Sequence, residues 1–199
     1  MIEIKNISFS RPTKVIFTNL SASIAPTGAT LLTGANGSGK TTLINVIGGV
    51  LKPSSGSVII NGLDIKNLST REQSRIRSVA PQRRIFDLAF TVDQLLQVVA
   101  ENARASHSAD VREALEIDAI ADLKVTELSL GQQQRVSVAL ALIQEAAFYL
   151  LDEPLSAQDA NHQDRTLDLL SMIAKEHGVV VVAHNSASFE ARFDAHISI

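Results

Sequence analysis

Hydrophobic and polar residues alternate along the first part of the chain, in the pattern of half-buried β-strands. The apolar positions are Ile2, Ile4, Ile7 and Phe9 in the first segment and Leu20, Ala22 and Ile24 in the second. Pro26-Thr27-Gly28 then forms a turn that leads into a short buried strand from Ala29 to Leu32. We therefore predict that two half-buried strands precede one buried strand.

Three later segments carry the pattern of a capping box, in which Ser or Thr is followed three residues later by Glu or Gln. The paired residues are Ser69 and Glu72, Thr91 and Gln94, and Ser129 and Gln132. Each box predicts the start of a helix. A further helical pattern extends from Val111 to Leu123. The middle of the chain is therefore predicted to be mainly α-helical.

Short strands flank this helical part. Val58 to Gly62 has the pattern of a strand that enters a hairpin turn, and further strands are predicted at 78–80, 147–152, 179–183 and 195–199. This alternation predicts an α/β fold with a mostly parallel core sheet and an N-terminal antiparallel β part. We predict a single domain over residues 1–199, with an α-helical subdomain at about 83–145 inserted into a core of about 1–82 and 146–199.

Composition narrows the class of protein. The net charge of −3 gives no electrostatic reason to expect direct nucleic-acid binding. The absence of cysteine excludes disulfides and thiolate metal sites and is compatible with a reducing cytosol. The first residues lack the pattern of a signal peptide, and no run of about 18 apolar residues follows. We therefore expect that the chain does not cross a membrane by itself.

The segment from Gly34 to Thr41 has the spacing G-x-x-x-x-G-K-[ST], between a predicted strand and an amphipathic helix. This context is typical of a loop that binds phosphate groups, because the glycines let successive backbone N–H groups face one anion. Lys40 can reach the terminal phosphates, and the Thr41 hydroxyl can bind Mg²⁺. The predicted nucleotide-binding residues are Gly34, Ala35, Asn36, Gly37, Ser38, Gly39, Lys40, Thr41 and Thr42.

Two adjacent carboxylates, Asp152 and Glu153, end the predicted strand at 147–152. Because ligands bind at the carboxyl ends of parallel strands, both acids are candidates for an active site. One can hold the Mg²⁺ shell while the other takes a proton from attacking water. Ser129 and Gln132 admit two interpretations at this point, either a simple helix cap or part of a ligand site.

The order of these motifs resembles the ATP-binding cassette (ABC) ATPases, specifically the nucleotide-binding subunit of an ABC transporter. The matching segments are the phosphate loop Gly34 to Thr42, the Gln82 loop, the signature Leu128 to Gln132, Asp152-Glu153, Ser156 to Asp159, and His184. The resemblance covers essentially the whole chain. It implies a P-loop NTPase fold of the ABC type that binds ATP and Mg²⁺ and hydrolyses ATP.

The resemblance also implies catalytic roles for several of these residues. Lys40 and the loop backbone would bind the β- and γ-phosphates, and His184 would contact the γ-phosphate. Glu153 would be the general base for water. Gln82 would sense the metal and the attacking water and relay the state of the site to a membrane partner. The implied Mg²⁺ ligands are Thr41, Gln82 and Asp152.

In this family the signature completes the nucleotide site of a second subunit in a head-to-tail dimer. Ser129, Gly131 and Gln132 would therefore contact ATP that the partner holds, and a homodimer is expected. The implied function is that of a motor subunit that drives separate transmembrane permease subunits. Such a subunit is cytoplasmic and lies peripherally on the inner face of the cell membrane.

The chain departs from the family pattern at three positions. Leu130 replaces the commoner glycine of the signature, Gln158 replaces an apolar residue, and Arg11 stands where an aromatic residue usually stacks on adenine. A negative φ at Leu130 would preserve the direction of its N–H group, so we expect ATP binding to survive. The guanidinium of Arg11 can also stack on a base.

Other functions stay open from the sequence alone. A soluble, non-transport ABC ATPase is the main alternative, although such proteins carry a long coiled-coil insert or two cassettes, and this chain has neither. A kinase built on the same loop would leave Leu128 to Arg135 and His184 unexplained. The direction of transport is also open. Segments between residues 61 and 92 resemble importers of metal chelates and cobalamin, whereas the short helical insert resembles haem exporters.

Overall fold

The structure is a computed structural model that describes residues 1–82, 84, 86, 89–102, 107–184 and 188–199. Its strands are β1 (Ile2–Arg11), β2 (Lys14–Ile24), β3 (Gly28–Thr33), β4 (Ser55–Ile60), β5 (Leu63–Asp64), β6 (Arg77–Ala80), β7 (Phe148–Asp152), β8 (Gly178–Val182) and β9 (Ala195–Ser198). Its helices are α1 (Lys40–Ile47), α2 (Thr70–Ile76), α3 (Val92–Asn102), α4 (Ser108–Ala114), α5 (Leu130–Leu142) and α6 (Ala160–Ile173). Residue 83, where we predict that the helical subdomain begins, lies outside the described residues.

The strands form two sheets of different kinds. A four-stranded antiparallel sheet has the order β2-β1-β4-β5, and a five-stranded parallel sheet has the order β6-β7-β8-β3-β9. In the parallel sheet β7, β8 and β3 are neighbours, with Leu150 opposite Val180 and Val180 opposite Thr30. Their carboxyl ends therefore lie at the same edge, where open parallel sheets bind ligands. The predicted α/β fold is confirmed.

Each face of the parallel sheet buries its own hydrophobic cluster. In β7, Tyr149 and Leu151 belong to the cluster that includes α5 and α6. Phe148 and Leu150 belong to the other cluster, which includes α1 and the antiparallel sheet. Successive side chains of a strand point to opposite faces, so this division follows from the period of the strand. Because both faces are covered, β7 and β8 are buried along their whole length.

The predicted hairpin and all three capping boxes are confirmed. Asn61 and Gly62 connect β4 to β5 with positive φ values of 50° and 81°, as a two-residue type I′ turn requires. In each box the Ser or Thr hydroxyl accepts a hydrogen bond from the backbone N–H three residues later. The Glu or Gln side chain accepts one from the backbone N–H of the Ser or Thr. The boxes start α2, α3 and α5.

The predicted helix from Val111 to Leu123 is wrong in its second half. Helix α4 ends at Ala114, and a short 3₁₀ helix follows at Asp118–Ile120. Between them Glu116 adopts a positive φ of 49°, which a right-handed helix cannot include. The Glu116 carboxylate instead contacts two side chains of α6, and these contacts favour a turn over a continued helix. Its partners in α6 are Arg165 and His162.

Candidate active site

The phosphate loop connects β3 to α1 and requires glycine at two positions. Gly34 has a φ of 150°, and a Cβ atom there would lie 2.2 Å from the backbone oxygen of Ile199. Gly39 has a φ of 111°, and a Cβ atom there would lie 2.5 Å from Cγ2 of Ile16 in β2. These close approaches fix the path of the loop. The segment comprises Gly34, Ala35, Asn36, Gly37, Ser38 and Gly39, and Lys40, Thr41 and Thr42 form the first turn of α1.

Lys40 folds its side chain back into this loop. Its Nζ donates hydrogen bonds to the backbone oxygens of Gly34, at 2.7 Å, and Ala35, at 3.1 Å. The residue is only 5% exposed, so an ammonium group is held inside the loop. The N-cap residue of α1 is Gly39, which offers no side chain to the first backbone N–H groups of the helix. These N–H groups and the ammonium together form an environment suited to anionic phosphate.

Asp152 ends β7 beside this helix, and its carboxylate is almost completely buried, at 1% exposure. A hydrogen bond joins it to the Thr41 side chain, while its Oδ1 atom has no hydrogen-bond partner among the described residues. Burial raises the pKa of the Asp152 carboxyl above its ordinary value, and the adjacent Glu153 charge adds to the rise. The Thr41 hydrogen bond, His184 and Lys40 oppose it.

This arrangement fits a hard divalent cation. Mg²⁺ is bound by oxygen ligands, usually through one or two carboxylates together with phosphate oxygens and water. A buried carboxylate oxygen without a partner, next to a threonine hydroxyl at a phosphate loop, supplies such ligands. A bound cation would also offset the cost of keeping Asp152 charged in a buried position.

Glu153 follows directly and turns the chain away from the sheet. Its φ is +53°, and its backbone N–H donates to the oxygen of Val182 in β8 at 3.0 Å. The carboxylate Oε1 lies 2.6 Å from Nε2 of His184, the second residue after β8. The neighbouring strands β7 and β8 thus bring an acid and an imidazole into direct contact, beside the phosphate loop that follows β3.

A pocket of about 670 Å³ extends from Glu153. Gln82, two residues after β6, lines it, so the Gln82 loop and the carboxylate face the same space. Its other lining residues are Arg84, Phe86, Leu130, Gln133, Gln134, Ser156 and Ala157. The structure therefore brings the predicted residues of the phosphate loop, Asp152, Glu153, His184 and Gln82 to one edge of the parallel sheet.

The segment Ser129–Gln132 forms the start of α5, and Leu130 is its one member that lines the pocket at Glu153. Ser129 is the N-cap of α5, and Gln132 completes the capping box. Among the described residues no hydrogen bond or ion pair joins this segment to the phosphate loop. Its first backbone N–H groups form a second helix start, separate from that of α1.

Comparison with known proteins identifies the family to which these motifs belong. The ABC transporter family model matches residues 17–156. The chain is 34% identical over 207 aligned positions to the hemin import ATP-binding protein HmuV of Rhizobium meliloti (strain 1021), covering 97% of this chain and 79% of that protein. It is 33% identical to the achromobactin transport ATP-binding protein CbrD of Dickeya dadantii (strain 3937), covering 91% and 72%.

This chain belongs to the ABC transporter family. A solved structure that it resembles is the dimeric structure of a bacterial ABC transporter cassette, with a TM-score of 0.83 and 25% identity over 100% of this chain and 94% of that one. The fold, the family match and the relatives agree that the chain is an ATP-binding subunit of an ABC transporter and an ATPase.

The structure shows how leucine fits in the signature of this ABC cassette. Leu130 lies in the first turn of α5 with a negative φ, and it is 65% exposed, so its side chain meets no obstacle. Gly131 differs, because a Cβ atom there would lie 2.5 Å from the backbone oxygen of Ala157. Leu130 thus meets the condition of a negative φ under which we expect ATP binding to survive, and that survival stays a prediction.

Two contacts near the site were not predicted from the sequence. Gln134 is 6% exposed and donates from Nε2 to the backbone oxygen of Glu153 at 3.1 Å. The only signal in the sequence is a polar residue four positions before Val138, on the face of α5 that is buried in the core. The second contact, between Gly131 and Ala157, depends on the close approach of the first turn of α5 to the loop after β7, and no periodicity in the sequence predicts it.

Arg11 lies at the end of β1, is exposed, and pairs in register with Lys14 across the hairpin. The same hairpin contacts the phosphate loop through Ile16, which lies against Gly39. Arg11 therefore belongs to the same hairpin as a residue that contacts the loop. Its contact with the base stays a prediction.

Proposed function

We propose that this chain is the ATP-hydrolysing motor of an importer of hemin or a related metal chelate. The main support is that the Lys40 loop, Asp152, Glu153 and His184 meet at one edge of the parallel sheet. The substrate class is supported by two relatives named for hemin import and achromobactin transport. These names also favour import over export, a choice that the sequence motifs leave open.

Within each site, the loop N–H groups and Lys40 bind the phosphates of ATP. The ammonium exchanges its bonds to the oxygens of Gly34 and Ala35 for bonds to the β- and γ-phosphates. Thr41, Asp152 and Gln82 hold Mg²⁺, which neutralises charge on those phosphates when bound. The partner-free Oδ1 of Asp152 supports this assignment.

Glu153 accepts the proton of the attacking water. Its carboxylate is held by His184 at 2.6 Å, so that both groups are fixed at the end of the sheet where the γ-phosphate of ATP lies. His184 contacts the γ-phosphate beside Glu153. In this arrangement the protein contributes position and charge, which dominate the catalysis of phosphoryl transfer.

Ser129, Gly131 and Gln132 complete the site of a second, identical subunit. The separation of this segment from the phosphate loop within one chain supports a shared site, as does the dimeric cassette among similar structures. Of the described residues, none belongs to a helix long and apolar enough to cross a bilayer. Because the relatives are named as ATP-binding proteins of import and transport systems, the pore is assigned to separate permease subunits, with this chain bound at the inner face of the membrane. The helical subdomain of the cassette is assigned to about residues 83–145.

The test is reconstitution. The tagged chain is purified from membranes, the co-purifying permease is identified, and the complex is placed in vesicles to measure ATP-dependent hemin uptake. Glu153→Gln should lower ATP hydrolysis by about 10²-fold or more and stop uptake, because water loses its base. The matched control is Glu145→Gln, an exposed acid that precedes β7. An active ATPase that is recovered without any membrane partner would instead identify a soluble ABC ATPase.

A further inference from the structure

We propose that Gln134 couples the two ATP sites of the dimer, by joining the start of the signature helix α5 to the backbone of Glu153 in the same chain. The inference rests on the proposed function, since it requires the shared sites of a head-to-tail dimer. In that dimer Gln134 is a positioning residue, because its donor group is bonded to the backbone of Glu153.

Helix α5 contacts the loop from Glu153 to Ala157 at both ends of that loop. At one end, Gln134 Nε2 donates to the backbone oxygen of Glu153 at 3.1 Å. At the other, Gly131 approaches the Ala157 oxygen so closely that a single added carbon would lie 2.5 Å away. Gln134 is 6% exposed, so water does not compete well for its hydrogen bond. The first turns of α5 and this loop therefore move together or lose these contacts.

The loop itself is held in an unusual conformation. Glu153 and Ala157 have φ values of +53° and +56°, in the left-handed region that side chains other than glycine seldom adopt. Such residues persist only where their surroundings over-determine the backbone. For Glu153 the surroundings are the bond from its N–H to Val182 and the bonds that its oxygen accepts from Gln134 and Ser156. The conformation of this backbone sets the direction in which the Glu153 carboxylate reaches His184. Loss of a hydrogen bond at the backbone oxygen of Glu153 therefore changes the position of the carboxylate that acts as the base.

The link through Gln134 joins two different sites, because Ser129 and Glu153 of one chain act on different ATP molecules. The start of α5, at Ser129, contacts the ATP held by Lys40 of the partner chain. Glu153 acts on the ATP held by Lys40 of its own chain. Gln134 lies between the two. ATP bound in one site thus positions the base of the other, and hydrolysis becomes cooperative in ATP concentration.

A purely structural role for Gln134 makes a different prediction. If Gln134 only stabilised α5, its loss would weaken the site to which its own Ser129 belongs. If it positions Glu153, its loss slows the other site, where its own Glu153 reacts. The two roles can therefore be separated by asking which of the two sites is damaged.

The variant is Gln134→Met, which keeps length and apolar volume but removes the N–H donor. The oxygen of Glu153 keeps its bond from the Ser156 N–H, at 3.1 Å, so the chain should still fold, and its melting temperature verifies this. Two mixed dimers are prepared, each with one site that binds ATP but cannot hydrolyse it because of Glu153→Gln. In the first, Gln134→Met is in the chain with intact Glu153. In the second, both substitutions are in one chain and the partner is wild type.

Single-turnover phosphate formation is measured in both mixed dimers. The first should be about tenfold slower than a Glu153→Gln and wild-type mixed dimer, and the second should agree with that reference within twofold. Gln144→Met is the matched control, because Gln144 Nε2 donates to the backbone oxygen of Leu140 near the far end of α5 and not to the loop. It should change neither dimer by more than twofold. In wild-type homodimers the dependence on ATP should be sigmoidal, and Gln134→Met should make it hyperbolic.

A loss in the second dimer, or equal losses in both, would overturn the coupling while leaving the proposed function intact. No change in the first dimer would do the same. If the wild-type chain neither hydrolyses ATP nor forms an ATP-driven dimer, the proposed function fails, and the coupling fails with it.

Discussion

The phosphate loop and the signature segment differ in how far one chain completes them. At the phosphate loop the cationic group is already held by the protein, through the bonds from Lys40 to Gly34 and Ala35. At the signature, Ser129 and Gln132 satisfy only each other, and Leu130 projects into solvent at 65% exposure. The phosphate loop thus positions its lysine within one chain, whereas the signature segment is an open surface. One chain therefore builds unequal halves of two sites, and activity should depend on how two chains are combined.

Mixing two inactive chains should restore activity, and this is the largest effect that we expect. Lys40→Ala disables the phosphate cradle, and Ser129→Arg blocks the signature helix with bulk and misplaced charge, so each homodimer should be nearly inactive. In a mixed dimer both lesions fall in one site, and the other site is intact. With random assortment about half of the dimers are mixed, so an equal mixture should regain up to about a quarter of wild-type ATPase activity if the sites turn over independently, and less if ATP must occupy both sites.

The control for this mixture is a dimer with a single lesion, Lys40→Ala paired with wild type. It should be about half as active as the wild-type dimer if the sites turn over independently. A mixture that contains mixed dimers but shows no recovery, together with a half-active single-lesion dimer, would mean that each chain completes its own site. An inactive single-lesion dimer would mean that hydrolysis needs both sites.

Within the signature, substitutions at the two adjacent positions should differ in the size of their effect on activity. Gly131→Ala places a carbon 2.5 Å from the Ala157 oxygen, and relieving the clash at a cost of about 1.4 kcal/mol corresponds to a tenfold loss of ATPase activity. Leu130→Gly restores the common family residue at an exposed position and should change activity less than twofold. Steady-state kinetics of the two purified variants test this. Equal effects would mean that the Ala157 contact does not restrict position 131.

The same contrast explains what the sequence could predict. The strand, the G-x-x-x-x-G-K-[ST] spacing and the capping boxes are local patterns with direct steric causes, and the structure contains them as expected. The turn at Glu116 was missed because its partners, Arg165 and His162, are far away in the sequence. The bond from Gln134 to Glu153 was missed for the same reason. Period and motif therefore predicted the elements and the residues at their ends, but not the contacts between elements.

The buried carboxylate of Asp152, beside the phosphate loop, should lower the free energy of unfolding of the ligand-free protein. Asp152→Asn removes a charge that burial disfavours, so the ligand-free variant should be more stable at pH 7, by about 1 kcal/mol or about 2–4 °C in Tm. Because the folded-state pKa is raised, the ionised form costs stability in full above that pKa. The cost shrinks as pH falls below it and is gone below the pKa of the unfolded chain. The difference between variant and wild type should therefore shrink at acidic pH.

Thermal unfolding across pH measures this, with Asp122→Asn, an exposed aspartate, as the control that should show no such difference. Addition of Mg²⁺ and ATP should reverse the order by stabilising the wild type more. A variant that is less stable than the wild type at pH 7 without ligand would show that Asp152 is better satisfied than its contacts indicate.

The smallest effect is expected at the base, where Arg11 takes the place of an aromatic residue. A guanidinium stacked on a base at an exposed site is worth only about 0.5–1 kcal/mol, so Arg11→Ala should raise the KM for ATP about 2–5-fold and leave kcat unchanged. Lys14→Ala is the matched control, since Lys14 is an exposed cation directly opposite Arg11 in the hairpin. A weak stack also discriminates poorly between purines, so GTP should be used nearly as well as ATP. A preference for ATP above about tenfold, or 1.4 kcal/mol, would mean that another residue recognises the base.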